Sequence, residues 1–218
     1  MMRGTNSPGP ADAPAIIAAV SRADAERERD VREILRHAGT LPAPRRRPAL
    51  VALVGLPGAG KTWLAAELRR RTGAVVLESD DLRALLFGRP TYSAQESRRL
   101  FAAIHAAVAC LLRRGVSVVL DATNLAESER EPLYAIAKDT GARLVVVRVV
   151  APRWLSHRRL ARRTLRIEPS RSEAGVSVYE RMRRRFEPIG RRHHVVDTSR
   201  DTAAVIDAIV REMEGPNV

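Results

Sequence analysis

The run Gly55, Leu56, Pro57, Gly58, Ala59, Gly60, Lys61, Thr62 has the clearest chemistry in the chain: closely spaced glycines ending in a lysine and a hydroxyl. It follows the apolar run Ala49–Val54 directly and opens a helical pattern whose next residue is Trp63. Glycines let the backbone curl until several N–H groups face inward, and the helix N-terminus adds the positive end of its dipole, so such a loop cradles phosphate. Lys61 is then placed for the β- and γ-phosphates and the Thr62 hydroxyl for Mg²⁺. The run fits the Walker A pattern in full, which predicts a site for ATP with Mg²⁺ over residues 55–63.

A phosphate cradle serves kinases, GTPases and motor ATPases alike, so the acceptor side has to separate them. Glu78-Ser79-Asp80-Asp81-Leu82-Arg83 follows a short apolar run and puts carboxylates where a parallel strand would deliver them to the nucleotide crevice. Transfer to an alcohol needs a group to take the hydroxyl proton, and Asp80 is the candidate base. Arg83, one helical turn on, is a candidate for holding the acceptor. The competing reading makes Asp80 or Asp81 a helix cap. Farther on, Val116–Leu120 ends in Asp121-Ala122-Thr123-Asn124. This is a Walker B layout, with Asp121 joining Thr62 as a Mg²⁺ ligand and Thr123 and Asn124 orienting the acceptor or the water around the metal. Its alternative is a strand-terminal Asp that starts a turn.

A helical pattern from Pro152 carries Arg159 and Arg163 one turn apart on one face. As part of a lid over about 152–175 they would neutralise charge on the transferring phosphoryl group and exclude water. Read plainly, the same run is a solvated basic face. His105, Cys110, His157, His193 and His194 have no zinc-ligand spacing.

The surrounding elements fit this chemistry. After a polar leader, apolar residues at helical spacing predict a helix over Ile16–Leu35, and the Pro- and Arg-rich stretch at 41–48 ends it. Residues 1–48 are therefore leader, helix and linker, and 49–218 the main domain. In that domain short apolar runs alternate with helical patterns, the rhythm of a parallel sheet covered by helices on both faces. Net charge is +13, but all basic residues except Lys61 and Lys138 are arginine, a skew that weakens charge as a sign of a nucleic-acid partner. The excess gathers in 153–192. Aromatic content is 4%, low for a protein that stacks on single-stranded nucleic acid. No apolar run approaches the ~20 residues of a membrane span. The N-terminus lacks a secretory pattern, and a single cysteine excludes an internal disulfide, so the expected setting is cytoplasmic. Oligomeric state is not legible.

With these segments in this order, residues 49–190 resemble the P-loop kinase group that holds the polynucleotide 5′-hydroxyl kinases, the zeta-toxin-like kinases and kinase-like domains of the AAA family ATPases. The likeness rests on Gly55–Thr62, on Ser79-Asp80-Asp81-Leu82-Arg83, on Asp121-Ala122-Thr123-Asn124 and on Arg159-Leu160-Ala161-Arg162-Arg163. It implies a three-layer α/β/α P-loop NTPase fold with a five-stranded parallel sheet in the order 2-3-1-4-5, here with an N-terminal helical extension. It also implies Asp80 as base, Arg83 on the acceptor, Lys61 and Thr62 on nucleotide and metal, and Arg159 or Arg163 as the clamp on the transferring phosphate. The expected partners are ATP and a hydroxyl acceptor, either a nucleic-acid 5′ end or a small molecule such as a nucleotide sugar. A nucleotide-dependent binding module with slow or no transfer is the alternative.

Overall fold

A computed structural model describes residues 13–164 and 176–215, with side chains over 23–162 and 177–215. Five strands, β1 (Ala49–Val54), β2 (Val75–Glu78), β3 (Val118–Asp121), β4 (Arg143–Val150) and β5 (His194–Asp197), form one parallel sheet in the order β2-β3-β1-β4-β5. This is the order implied by the sequence resemblance. The helices are α1 (Ala13–His37), α2 (Lys61–Thr72), α3 (Ser79–Phe87), α4 (Ala94–Arg113), α5 (Glu127–Thr140), α6 (Arg153–Thr164), α7 (Val176–Arg183) and α8 (Ala203–Glu214).

Alternation along β1 sorts the two cores, because successive side chains leave a strand on opposite faces. Leu50 and Ala52 join Leu77, Leu120, Leu82, Ile104 and Leu133 beneath α3, α4 and α5. Ala49, Val51 and Leu53 join Val147, Leu64, Leu68, Ile206 and Ile209 beneath α2 and α8. Every residue of β1 is buried, which explains why its sequence runs apolar without a break.

The N-terminal helix packs on the first of these cores. Ile34 is fully buried among residues of α4, and Arg99 of α4 donates to both carboxylate oxygens of Asp30 at 2.7 and 2.9 Å. No helix among the described residues is long and apolar enough to cross a membrane.

Parallel strands carry all their C-terminal ends to one edge. β1 therefore delivers the glycine loop, β2 the Ser79-Asp80 segment and β3 Asp121 to the same rim, and Glu78 pairs in register with Asp121.

Candidate active site

Glycine is required where the loop turns. Gly60 has φ 101°, and a Cβ there would lie 2.9 Å from Cγ2 of Thr198. At Gly58, with φ 76°, a Cβ would lie 2.7 Å from the Ser156 carbonyl oxygen. The loop is held from behind by residues far away in sequence. Thr198, just past β5, donates its hydroxyl to the Ala59 carbonyl at 2.7 Å. Arg159 donates to the Gly58 carbonyl at 3.1 Å and to the Thr198 hydroxyl at 2.8 Å. Gly55 N–H donates to the Thr123 carbonyl at 3.0 Å, and Lys61 Nζ reaches the Leu56 carbonyl at 3.3 Å.

At the foot of the loop the Thr62 hydroxyl donates to Asp121 Oδ2 at 2.7 Å, and Asp121 is only 3% exposed. One hydroxyl and one carboxylate oxygen in contact are hard ligands on one side of an ion. Among the described residues no three His, Cys, Asp or Glu side chains form a metal-binding group. This pair therefore fits Mg²⁺, which keeps water and nucleotide phosphate as its other ligands, better than a metal caged wholly by protein.

The segment after Asp121 is rigidly tied. Asn124 adopts φ 45° and donates its side-chain amide to the Leu53 carbonyl at 2.8 Å, leaving it 3% exposed. Arg130 of α5, with 0% exposure, was not singled out in the sequence. Its guanidinium donates to the carbonyls of Asn124, Leu125, Glu187 and Pro188 at 2.7 to 3.1 Å, and to Glu127 at 2.8 Å. It thereby joins the loop after β3 to the segment after α7.

On the side where the sequence predicts the acceptor, α3 starts at Ser79, with Glu78 in the cap position, so Asp80 and Asp81 both lie inside the first turn. Asp81 Oδ2 accepts from His37 Nε2 of α1 at 3.1 Å. Arg83 is buried and paired with Glu96 of α4, and its guanidinium lies 5.0 Å from the ring centre of Tyr92. Glu96 also accepts from the Thr91 N–H and hydroxyl, both at 2.7 Å, and from the Tyr92 N–H at 3.2 Å. Burial disfavours its charge, but the bonds from the Thr91 N–H, Arg83, the Thr91 hydroxyl and the Tyr92 N–H outweigh burial and hold its pKa at about 2. The folded value lies below the ordinary 4.5, so the stabilisation is complete above pH 4.5 and fades as pH falls toward 2. A Glu96→Gln protein is accordingly expected to melt below wild type at neutral pH, with the gap closing between about pH 4.5 and 2. Thermal melts across that range check this; a gap independent of pH would mean that the charge of Glu96 is not what matters.

These elements enclose a cavity of about 1000 Å³. Pro57, Gly58, Gly60, Lys61 and Thr62 line it from the glycine loop, Asp121 and Thr123 from the end of β3, and Asp80 and Arg83 from α3. Among the described residues the Asp80 carboxylate, which lines the cavity, has no hydrogen-bond or ion-pair partner. Gly55, Leu56 and Ala59 shape the loop without lining this space; Trp63, half exposed on α2, and Asn124 also lie outside its wall. Arg159 is behind the loop rather than across the cavity. The Arg163 side chain and residues 165–175 of the expected lid lie outside the described residues. Of the lid's surroundings, Glu180 of α7 binds Arg153 at 2.9 Å and His157 at 3.2 Å, latching α6 to α7. A second opening of about 660 Å³, by Arg47, Arg143 and Arg211, sits at the opposite end of the sheet, remote from this chemistry.

Comparison with known proteins adds to this geometry. The fold is similar to that of a gluconokinase from Sinorhizobium meliloti 1021, with 20% identity, TM-score 0.56, and coverage of 78% of this chain and 94% of that one. It is similar to the Mycobacterium tuberculosis APS kinase CysC in complex with AMPPNP and APS, with 19% identity, TM-score 0.57, and coverage of 79% and 100%. A chain of an RNA repair complex is 25% identical, with TM-score 0.51, over 65% of this chain and 47% of that one. No curated protein matches the sequence. The family model described as an AAA domain matches residues 50–189, which include the glycine loop, Asp80, Asp121 and the α6–α7 arm, and the chain belongs to that family.

Proposed function

We propose that this protein is an ATP-dependent kinase that transfers the γ-phosphoryl group to a hydroxyl of an acceptor. The observation that carries the reading is the placement of Asp80 on the wall of the same cavity as Lys61 and the Thr62–Asp121 pair. Lys61 and the loop N–H groups bind and orient the phosphates. Thr62 and Asp121 would hold Mg²⁺, which when bound neutralises phosphate charge. Asp80 takes the proton as the acceptor oxygen bonds to the γ-phosphorus and the bond from that phosphorus to the departing ADP oxygen breaks. Arg159 fixes the loop through the Gly58 carbonyl and Thr198, so its part is to position rather than to touch the reacting atoms.

Similarity to a gluconokinase and an APS kinase favours a small acceptor, and similarity to a chain of an RNA repair complex keeps a nucleic-acid 5′-hydroxyl in view. ATP and a chain with one cysteine both suit a reducing, cytoplasmic setting. Transfer of labelled γ-phosphate from ATP to a panel of 5′-hydroxyl oligonucleotides, nucleosides, sugar acids and sugar nucleotides tests the reading. Label on one acceptor is the expected result. Tight ATP binding with no label on any acceptor would favour a nucleotide-dependent binding module instead.

A further inference from the structure

Most charges around the cavity already have work to do. Lys61, Thr62 and Asp121 belong to the nucleotide end, and Asp80 to the proton. Arg83 is neutralised by Glu96, and Arg185 by Glu129 at 3.1 Å. Two cations remain, Arg98 on α4 and Arg181 on α7; among the described residues neither guanidinium has an ion-pair or hydrogen-bond partner. They are not randomly placed. Arg98 shares one stripe of α4 with Phe101 and His105, and Arg181 shares one face of α7 with Val178 and Met182, and both faces line the cavity.

Resting on the kinase reading above, we infer that Arg98 and Arg181 form an anion subsite on the acceptor side, so that the acceptor is a small organic molecule carrying a carboxylate or phosphate as well as the hydroxyl that receives the phosphoryl group. Guanidinium groups match both anions with paired, charge-assisted hydrogen bonds. The apolar side chains of Phe101 and Met182, which line the same cavity, would contact the body of that molecule. His105 suits the same role, because burial lowers its pKa and leaves a neutral ring able to hydrogen-bond to a hydroxyl. The phosphates of a bound nucleotide would be met by the glycine loop and Lys61, which line the cavity with their own donors.

The test is calorimetric titration of full-length protein loaded with Mg²⁺ and a non-hydrolysable ATP analogue, using matched probes: ribose 5-phosphate against ribose, gluconate against sorbitol. At least one anion is expected to bind more than tenfold tighter than its neutral partner. Arg98→Gln and Arg181→Gln should each weaken that anion about tenfold, with ATP affinity and binding of the neutral partner unchanged. Equal affinity for charged and neutral probes, a loss of ATP affinity in the variants, or Arg98-dependent binding seen only with a 5′-hydroxyl oligonucleotide would overturn the proposal. Turnover is measured separately on the same probes. Arginine-dependent anion binding without any phosphoryl transfer would uphold the subsite and count against the kinase reading; transfer that is indifferent to acceptor charge would do the reverse.

Discussion

An Asp80→Asn protein is expected to lose phosphoryl transfer by about 10²- to 10⁴-fold, the range that a positioned general base contributes. Asparagine keeps the shape of the side chain and its place in the first turn of α3 but cannot accept the proton. ATP affinity should stay close to wild type, because the groups proposed to hold the phosphates, the glycine loop, Lys61 and the Thr62–Asp121 pair, lie after β1, at the start of α2 and at the end of β3 rather than on α3. The fold should survive as well. Asp81 remains in the same turn to face the helix N-terminus, and losing one such charge costs about 0.3–1 kcal/mol. Single-turnover transfer and calorimetric ATP binding, measured on one preparation, separate these effects. Unchanged transfer would remove Asp80 from the chemistry, and a parallel loss of ATP affinity would make it a nucleotide-site residue instead.

The largest expected effect on stability belongs to Arg130→Met. Methionine fills much of the volume, yet it leaves four backbone carbonyls, those of Asn124, Leu125, Glu187 and Pro188, without their shared donor. Removing one partner from a buried charged network costs about 3–5 kcal/mol. In a chain of this size each kcal/mol lowers Tm by about 2–4 °C, so a fall on the order of 6–20 °C is expected. Arg130→Lys should fall between the two, since a single ammonium cannot span carbonyls on two separate segments as the guanidinium fork does. A Tm within a degree or so of wild type, well under the expected fall, would mean that water takes over these carbonyls. Transfer should decline too, because two of these carbonyls, those of Asn124 and Leu125, belong to the loop that carries Thr123.

What could be read from the sequence and what could not divides along physical lines. The strands were legible because buried parallel strands are runs such as Ala49–Val54 and Arg143–Val149, and the observed elements start and stop within a few residues of those runs. The glycine loop was legible because phosphate binding constrains neighbouring positions. The order of the strands came from resemblance alone, since no strand sequence names its neighbour. Arg130 was invisible: in a chain whose cations are nearly all arginine, one more arginine on a polar helix looks like surface. Glu96 and Thr198 were missed for a related reason. Their partners, Arg83 and the Ala59 carbonyl, are brought to them by tertiary packing, across 13 residues for Arg83 and 139 for Ala59. Arg159 and Asn124 stood out by motif, but motif could not show that Arg159 grips the back of the loop or that the Asn124 amide turns inward to Leu53.

The docking of α1 bears on where the chain can be cut. The family match begins at residue 50, and a truncation at Pro48 would follow it naturally. That cut would strip Ile34 from Leu100, Ala103, Ile104 and Ala107, and Asp30 from Arg99, baring an oily strip along α4. It would also take His37 away from Asp81, the immediate neighbour of Asp80. The boundary that defines kinship here is thus narrower than the unit that packs together, and the helix outside the family match backs the helix that forms one wall of the cavity.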